Sequence, residues 1–178
     1  VIQRPNPLLF RGSPGAAGLP ARAIRHIGGP VQDAIDRILE IIHRSGYPAL
    51  SGPQIGYNGR VVVVDLSRTG ERPVVLINPE VESVSRETQV DLEGCIDLPG
   101  VRVRRERPLL ITLRARARSG QPVRLEMGGL MGRIVQHQLD HLDGRLLLPR
   151  LDSPARGSVL GGRLEPPSCR LSGLRPGS

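Results

Sequence analysis

With 178 residues, a mass of 19.3 kDa and 25 Lys and Arg against 17 Asp and Glu, the chain can build one hydrophobic core but not two full domains. One Phe, two Tyr and no Trp leave the core to Leu, Ile, Val and Ala and exclude an aromatic platform for stacked bases. The formal charge of +8 would steer acidic partners, but the arginines are scattered and no zinc-finger spacing or long basic helix accompanies them, so no specific nucleic-acid partner is expected.

Two cysteines, Cys95 and Cys169, make no disulfide framework and suit a reducing compartment. The sequence has no signal-peptide pattern at its start and no apolar run near the ~20 residues a bilayer requires. The expectation is a soluble, cytoplasmic, monomeric protein with no membrane partner.

Residues 1–30, rich in Pro, Gly and Arg, read as an extended arm. Over 31–44 the apolar residues Val31, Ile35, Ile38, Leu39 and Ile42 recur at helical spacing, with Pro30 suited to the first turn and Ser45-Gly46 to the end. β-Branched runs at 60–64 and 74–77, followed by apolar stretches at 109–113 and 123–125, predict strands, the last two joined through Ser119-Gly120 as a hairpin. A second helix is predicted over 129–142, where Met131, Val135, Leu139 and Leu142 form an apolar stripe beside Leu130 and Ile134. Helix, strands, helix is an α+β layout with antiparallel character rather than a series of βαβ units. Residues 1–150 are expected to form one domain, and 151–178, interspersed with Pro, Gly and Arg, a disordered or loosely attached tail.

The chemistry concentrates in the second helix, which reads QHQLDHLDG from Gln136 to Gly144. His137 and His141 stand one turn apart on one side, so both imidazoles can reach a common cation; the competing reading is a pair of hydrogen-bonded polar residues. Cys95, in the strand-and-turn segment LEGCIDLPG from Leu92 to Gly100, offers a third soft ligand. One Cys and two His leave a coordination position open for water. His26 and His43 fall outside this set and read as structural or surface residues.

Three segments carry a resemblance to the peptide deformylase family. GYPALSGPQIG from Gly46 to Gly56 resembles its first, glycine-rich motif ending in glutamine; EGCID from Glu93 to Asp97 resembles E-G-C-L/I-S; and HQLDH from His137 to His141 resembles H-E-x-x-H. The opening VIQRPNPLLF is similar to the family's N-terminal arm, and the resemblance extends from residue 1 to about 150. It implies a deformylase-like fold, with a central metal-binding helix packed against antiparallel or mixed sheets. Cys95, His137 and His141 would hold one divalent metal, ferrous iron in the first place, with nickel, cobalt or zinc as replacements.

The resemblance further implies that the Gln54 amide and the backbone N–H of Ile96 bind a formyl oxygen as it becomes negative, an arrangement that lowers a barrier by several kcal/mol. The substrate would be an N-formylmethionyl peptide or a smaller formamide, and the basic surface would permit proximity to the ribosome. Glu93 would pair with an arginine beyond the second motif, with Arg102, Arg104 and Arg105 as candidates.

Departures from the pattern carry equal weight. Tyr47 and Ala49 replace two glycines of the first motif, adding bulk where a peptide would dock, while Ser51 and Gly52 take its alanine positions. Asp97 replaces the serine of the second motif. Gln138 occupies the position of the glutamate that takes a proton from the attacking water, and a neutral amide has no titration to offer. Two functions follow from the resemblance: a metal-dependent formyl hydrolase, or a catalytically impaired deformylase-fold protein that binds metal or a peptide end. The remaining reading is a scaffold whose basic surface matters more than its pocket.

Overall fold

The computed structural model describes residues 19–67, 72–145 and Leu147. The expectations for residues 1–18 and for the tail 151–178 lie outside the described residues.

Helix α1 spans Gly29–Ser45, with Pro30 in its first turn and Gly46 as a left-handed cap (φ 72°) whose N–H donates to the Ile42 carbonyl. Strands β1 (Ala49–Ser51), β2 (Val61–Val64), β3 (Val74–Val84), β6 (Leu110–Arg116) and β7 (Pro122–Gly128) form a five-stranded antiparallel sheet in the order β1-β2-β3-β6-β7. Strands β4 (Thr88–Cys95) and β5 (Leu98–Pro108) pair separately as a two-stranded ribbon. Helix α2 covers Gly129–Leu142, the predicted span.

The unbroken valine run of β2 is explained by burial on both faces. Val61 and Val63 join Ile35, Ile38, Ile42 and Leu50 in a core under α1, while Val62 and Val64 join Leu76, Leu113, Val135, Leu139 and Leu142 in a core under α2. The sheet therefore has a helix on each face. Within α2 the predicted stripe is buried at Val135, Leu139 and Leu142, whereas Leu130 is 66% exposed.

Sequence reading ends one strand early and passes over others. Asn78 and Pro79 lie beyond the run predicted at 74–77, yet β3 continues through them to Val84 by shifting register between Ile77 and Glu80. Asn78 adopts φ 51°. Its side-chain amide donates to the Ile24 carbonyl and accepts from the Ile24 N–H, at 2.7 and 2.8 Å, fastening the chain before α1 to the sheet. The 117–121 turn closes the β6–β7 hairpin as predicted, with Gly120 at φ 87°.

Candidate metal centre

Three elements meet at one point. Helix α2 presents His137 and His141, the end of β4 presents Cys95, and a 3-10 turn over Gly52–Ile55 presents Gln54. The Cys95 Sγ lies 3.2 Å from His141 Nε2, which lies 3.1 Å from His137 Nε2. The three donor atoms all fall within 4.8 Å of one another, and the three residues are buried or nearly so.

Electrostatics and unsatisfied atoms both fit a cation here. Burial and the Asp97 charge push the Cys95 thiol well above its ordinary value, so a buried thiolate lacks compensation unless a cation supplies it. Burial, then the charges of His137 and Arg107, depress His141 to about 3, leaving its imidazole neutral and able to ligate. The Gln138 Oε1 and His141 Nδ1 are buried without a hydrogen-bond partner. A buried carbonyl oxygen without a donor, as at Gln138, is where a water or a ligand group belongs.

Behind His137 the surroundings are saturated. Glu93 Oε2 lies 3.2 Å from His137 Nδ1, and the carboxylate accepts from Arg107 Nε and Nη2 at 2.6 and 2.8 Å and from Arg133 Nη1 at 2.8 Å. Burial alone would raise the Glu93 carboxyl, but Arg107 and His137 hold it well below the usual carboxylate range. With Nδ1 bonded to this carboxylate, the His137 ring is fixed with Nε2 toward Cys95 and His141. Arg107 also reaches Asp140 at 2.9 Å, so Asp140 is engaged in an ion pair.

The Glu93 partner is thus neither Arg102, Arg104 nor Arg105. Glu93 pairs across the ribbon with Val103, so residues of odd number on β5 share its face, while Arg102 and Arg104 point to the other, exposed side. Arg105 is on the correct face but its guanidinium goes to Asp140, at 3.5 Å. Arg107 and Arg133 are the residues sequence reading missed. Arg133 lies four positions before His137 on α2, a helical spacing that would have exposed it.

Gln54 is held by its own turn. The Ser51 N–H and hydroxyl donate to Gln54 Oε1 at 3.0 and 3.1 Å, which turns Nε2 toward the centre, 3.5 Å from His141 Nε2 and 3.3 Å from Asp97 Oδ2. Ile96 is buried in the turn after Cys95. Burial, and then the charges of Cys95 and Asp97, raise the phenol of half-buried Tyr47. Ala49, the other replaced glycine, packs its methyl in the core under α2. His26 is exposed, and His43 lies 3.3 Å from Asp65, both away from the centre.

An α+β chain that brings two histidines of a helix and a cysteine of a neighbouring strand into one cluster has the architecture of a deformylase-type metal-binding protein. The polypeptide deformylase family model matches residues 18–157, and the chain belongs to that family. The peptide deformylase of Thermodesulfovibrio yellowstonii is 35% identical over 133 residues, covering 74% of this chain and 80% of that protein. Among solved structures, the peptide deformylase of Thermotoga maritima superposes with a TM-score of 0.70 at 32% identity, covering 76% of this chain and 90% of its own. That of Synechococcus elongatus in complex with actinonin gives a TM-score of 0.70 at 31% identity, covering 80% and 76%. Within this family the chain is atypical, with Gln138 in the position of the catalytic glutamate.

Proposed function

We propose that the protein is a deformylase-fold metal protein that binds one divalent cation and the formylated end of a peptide or a small formamide, and that it turns this ligand over slowly. Cys95, His137 and His141 would hold the cation, with ferrous iron as the first candidate. Such a cation polarises a carbonyl and activates water. The chain's own contribution is orientation: Glu93 fixes His137, and the Ser51 bonds fix Gln54 with an N–H toward the carbonyl that would lie beside the cation.

The observation that carries the reading is Gln138. It is 5% exposed on the ligand-bearing helix with Oε1 unpartnered. A neutral amide can hold a water by hydrogen bonding but can neither take its proton nor return one to a leaving amine. Loss of such a general acid–base lowers the rate by ~10²–10⁴-fold, and the residual rate comes from the cation and the oxyanion donors. Tyr47 adds a second restraint, bulk beside Cys95 where the family pattern has glycine.

Elemental analysis of anaerobically purified protein tests the first half, with about one metal per chain expected. Formate release from formyl-methionyl peptides and smaller formamides tests the second. Absence of any metal, with no uptake of iron, nickel or zinc, would overturn the proposal, as would turnover of formyl-methionyl peptides at the rate of a glutamate-bearing family member.

A further inference from the structure

We propose that Asp97 is a positioning residue of the metal centre, accepting the Nδ1 proton of His141 and so giving that ligand the carboxylate partner that Glu93 gives His137. The inference rests on the metal-binding reading above.

The tautomer of His141 follows from its neighbours. Gln54 Oε1 must be the oxygen, because it receives the Ser51 N–H at 3.0 Å and the Ser51 hydroxyl at 3.1 Å. The group 3.5 Å from His141 Nε2 is therefore the Gln54 amide nitrogen, which only donates. His141 Nε2 then presents a lone pair, toward Gln54, Cys95 Sγ and His137 Nε2, and the single proton of the neutral ring sits on Nδ1.

That N–H is a buried donor with no partner. Asp97 Oδ2 lies 3.6 Å from it, a few tenths of an ångström beyond hydrogen-bond reach. The Asp97 side chain is 25% exposed and stands on the short turn between β4 and β5, outside either strand. The same oxygen receives the Gln54 amide at 3.3 Å, so one carboxylate would orient both a ligand and the oxyanion donor.

An unpartnered N–H of this kind costs free energy in the buried state, and a carboxylate acceptor also raises the basicity of the ligating nitrogen. The serine of the family's second motif carries no such charge. Asp97 thus brings a carboxylate to the centre of a chain whose Gln138 has removed one.

Affinity for Co(II), measured on the full-length chain by competition with a chromophoric chelator, tests the inference without any reliance on turnover. Asp97→Ala should weaken binding ~10–100-fold, the range for losing an outer carboxylate. Asp97→Asn, which keeps an acceptor but not the charge, should fall between, and Asp97→Glu should recover most of the affinity. Cobalt–thiolate absorption should persist in all four proteins, and metal-free thermal unfolding should be unchanged.

An Asp97→Ala affinity within about twofold of the parent would overturn the inference and leave the metal reading standing. A loss matched by equal metal-free destabilisation would overturn it too, by making Asp97 a fold residue. Failure of the parent chain to take up Co(II) would instead bring down the metal reading, and this inference with it.

Discussion

Glu93 and Gln138 are both buried polar side chains close to His137, yet one carboxylate collects bonds from two arginines and lies against a histidine while the other side chain's oxygen has no partner. A group satisfied on every side belongs to the framework that sets ligand directions. A group left short of a partner marks the space where something else binds. The difference separates a fixed wall, made by β4, β5 and one side of α2, from an open side at Gln54 and Asp97, with the unpartnered Gln138 on the helix that carries both histidines.

Breaking the wall should have the largest effect. Arg107→Ala removes the bidentate partner of Glu93 and the 2.9 Å partner of Asp140 at once. Removal of one member of a buried ion pair typically costs ~3–5 kcal/mol. Denaturant unfolding of the metal-free protein should show a loss of that order, and a loss below ~1 kcal/mol would mean the wall is solvated.

A smaller loss is expected at the turn that carries Gln54. Gly52 stands at an alanine position of the family pattern, but a Cβ there would lie 2.6 Å from the Gly59 carbonyl oxygen and 2.8 Å from that of Tyr57. Gly52→Ala should therefore destabilise by ~1–3 kcal/mol through backbone displacement. It should also weaken carbonyl-ligand binding, readable by calorimetry, because Gln54 sits two residues on.

The contrast also has a pH signature. Glu93 is held below its ordinary value of 4.5, so the unfolded chain binds its proton more readily than the native one. Its contribution is fully present above about 4.5 and is lost as pH falls toward the depressed native value. Melting of metal-free protein should move to lower temperature on acidification below that point, and less so in Glu93→Gln, whose melting is already low. Parallel profiles for the two proteins would show that Glu93 is not the titrating group.

The smallest effect should come from ion pairs outside the wall. Arg114 and Glu80 approach to 2.6 Å but are 66% and 59% exposed, so solvent screens the pair and Arg114→Ala should leave the denaturant midpoint close to that of the parent.

Much of this was legible from residues alone. Helical spacing located α2 to its final residue and put His137 and His141 together, because a 3.6-residue period is a local property. Cys95 could be joined to them only by its chemistry and by the resemblance, since its approach depends on a separate ribbon that brings it against α2. The partners of Glu93 differ from the expected Arg102, Arg104 or Arg105 for the same reason: strand register and face are set between strands, and Arg102 and Arg104 fall on the other face only once Val103 is seen opposite Glu93. Ala49, read as bulk in the docking channel, turned inward because β1 buries both faces. The positions of Asp97 against His141 and Gln54 depend on a turn geometry that sequence does not encode in its spacing.

The central claim is that the centre retains what binds a carbonyl and has, at Gln138, an amide that cannot move a proton. Its most direct test is Gln138→Glu, assayed for formate release from a formylated peptide per bound metal at matched occupancy, which separates proton transfer from any gain in metal affinity. Turnover per metal should rise by ~10²-fold or more once a titrating group is restored. An unchanged rate, with metal bound and the fold intact, would contradict the account and assign the impairment to the channel around Tyr47.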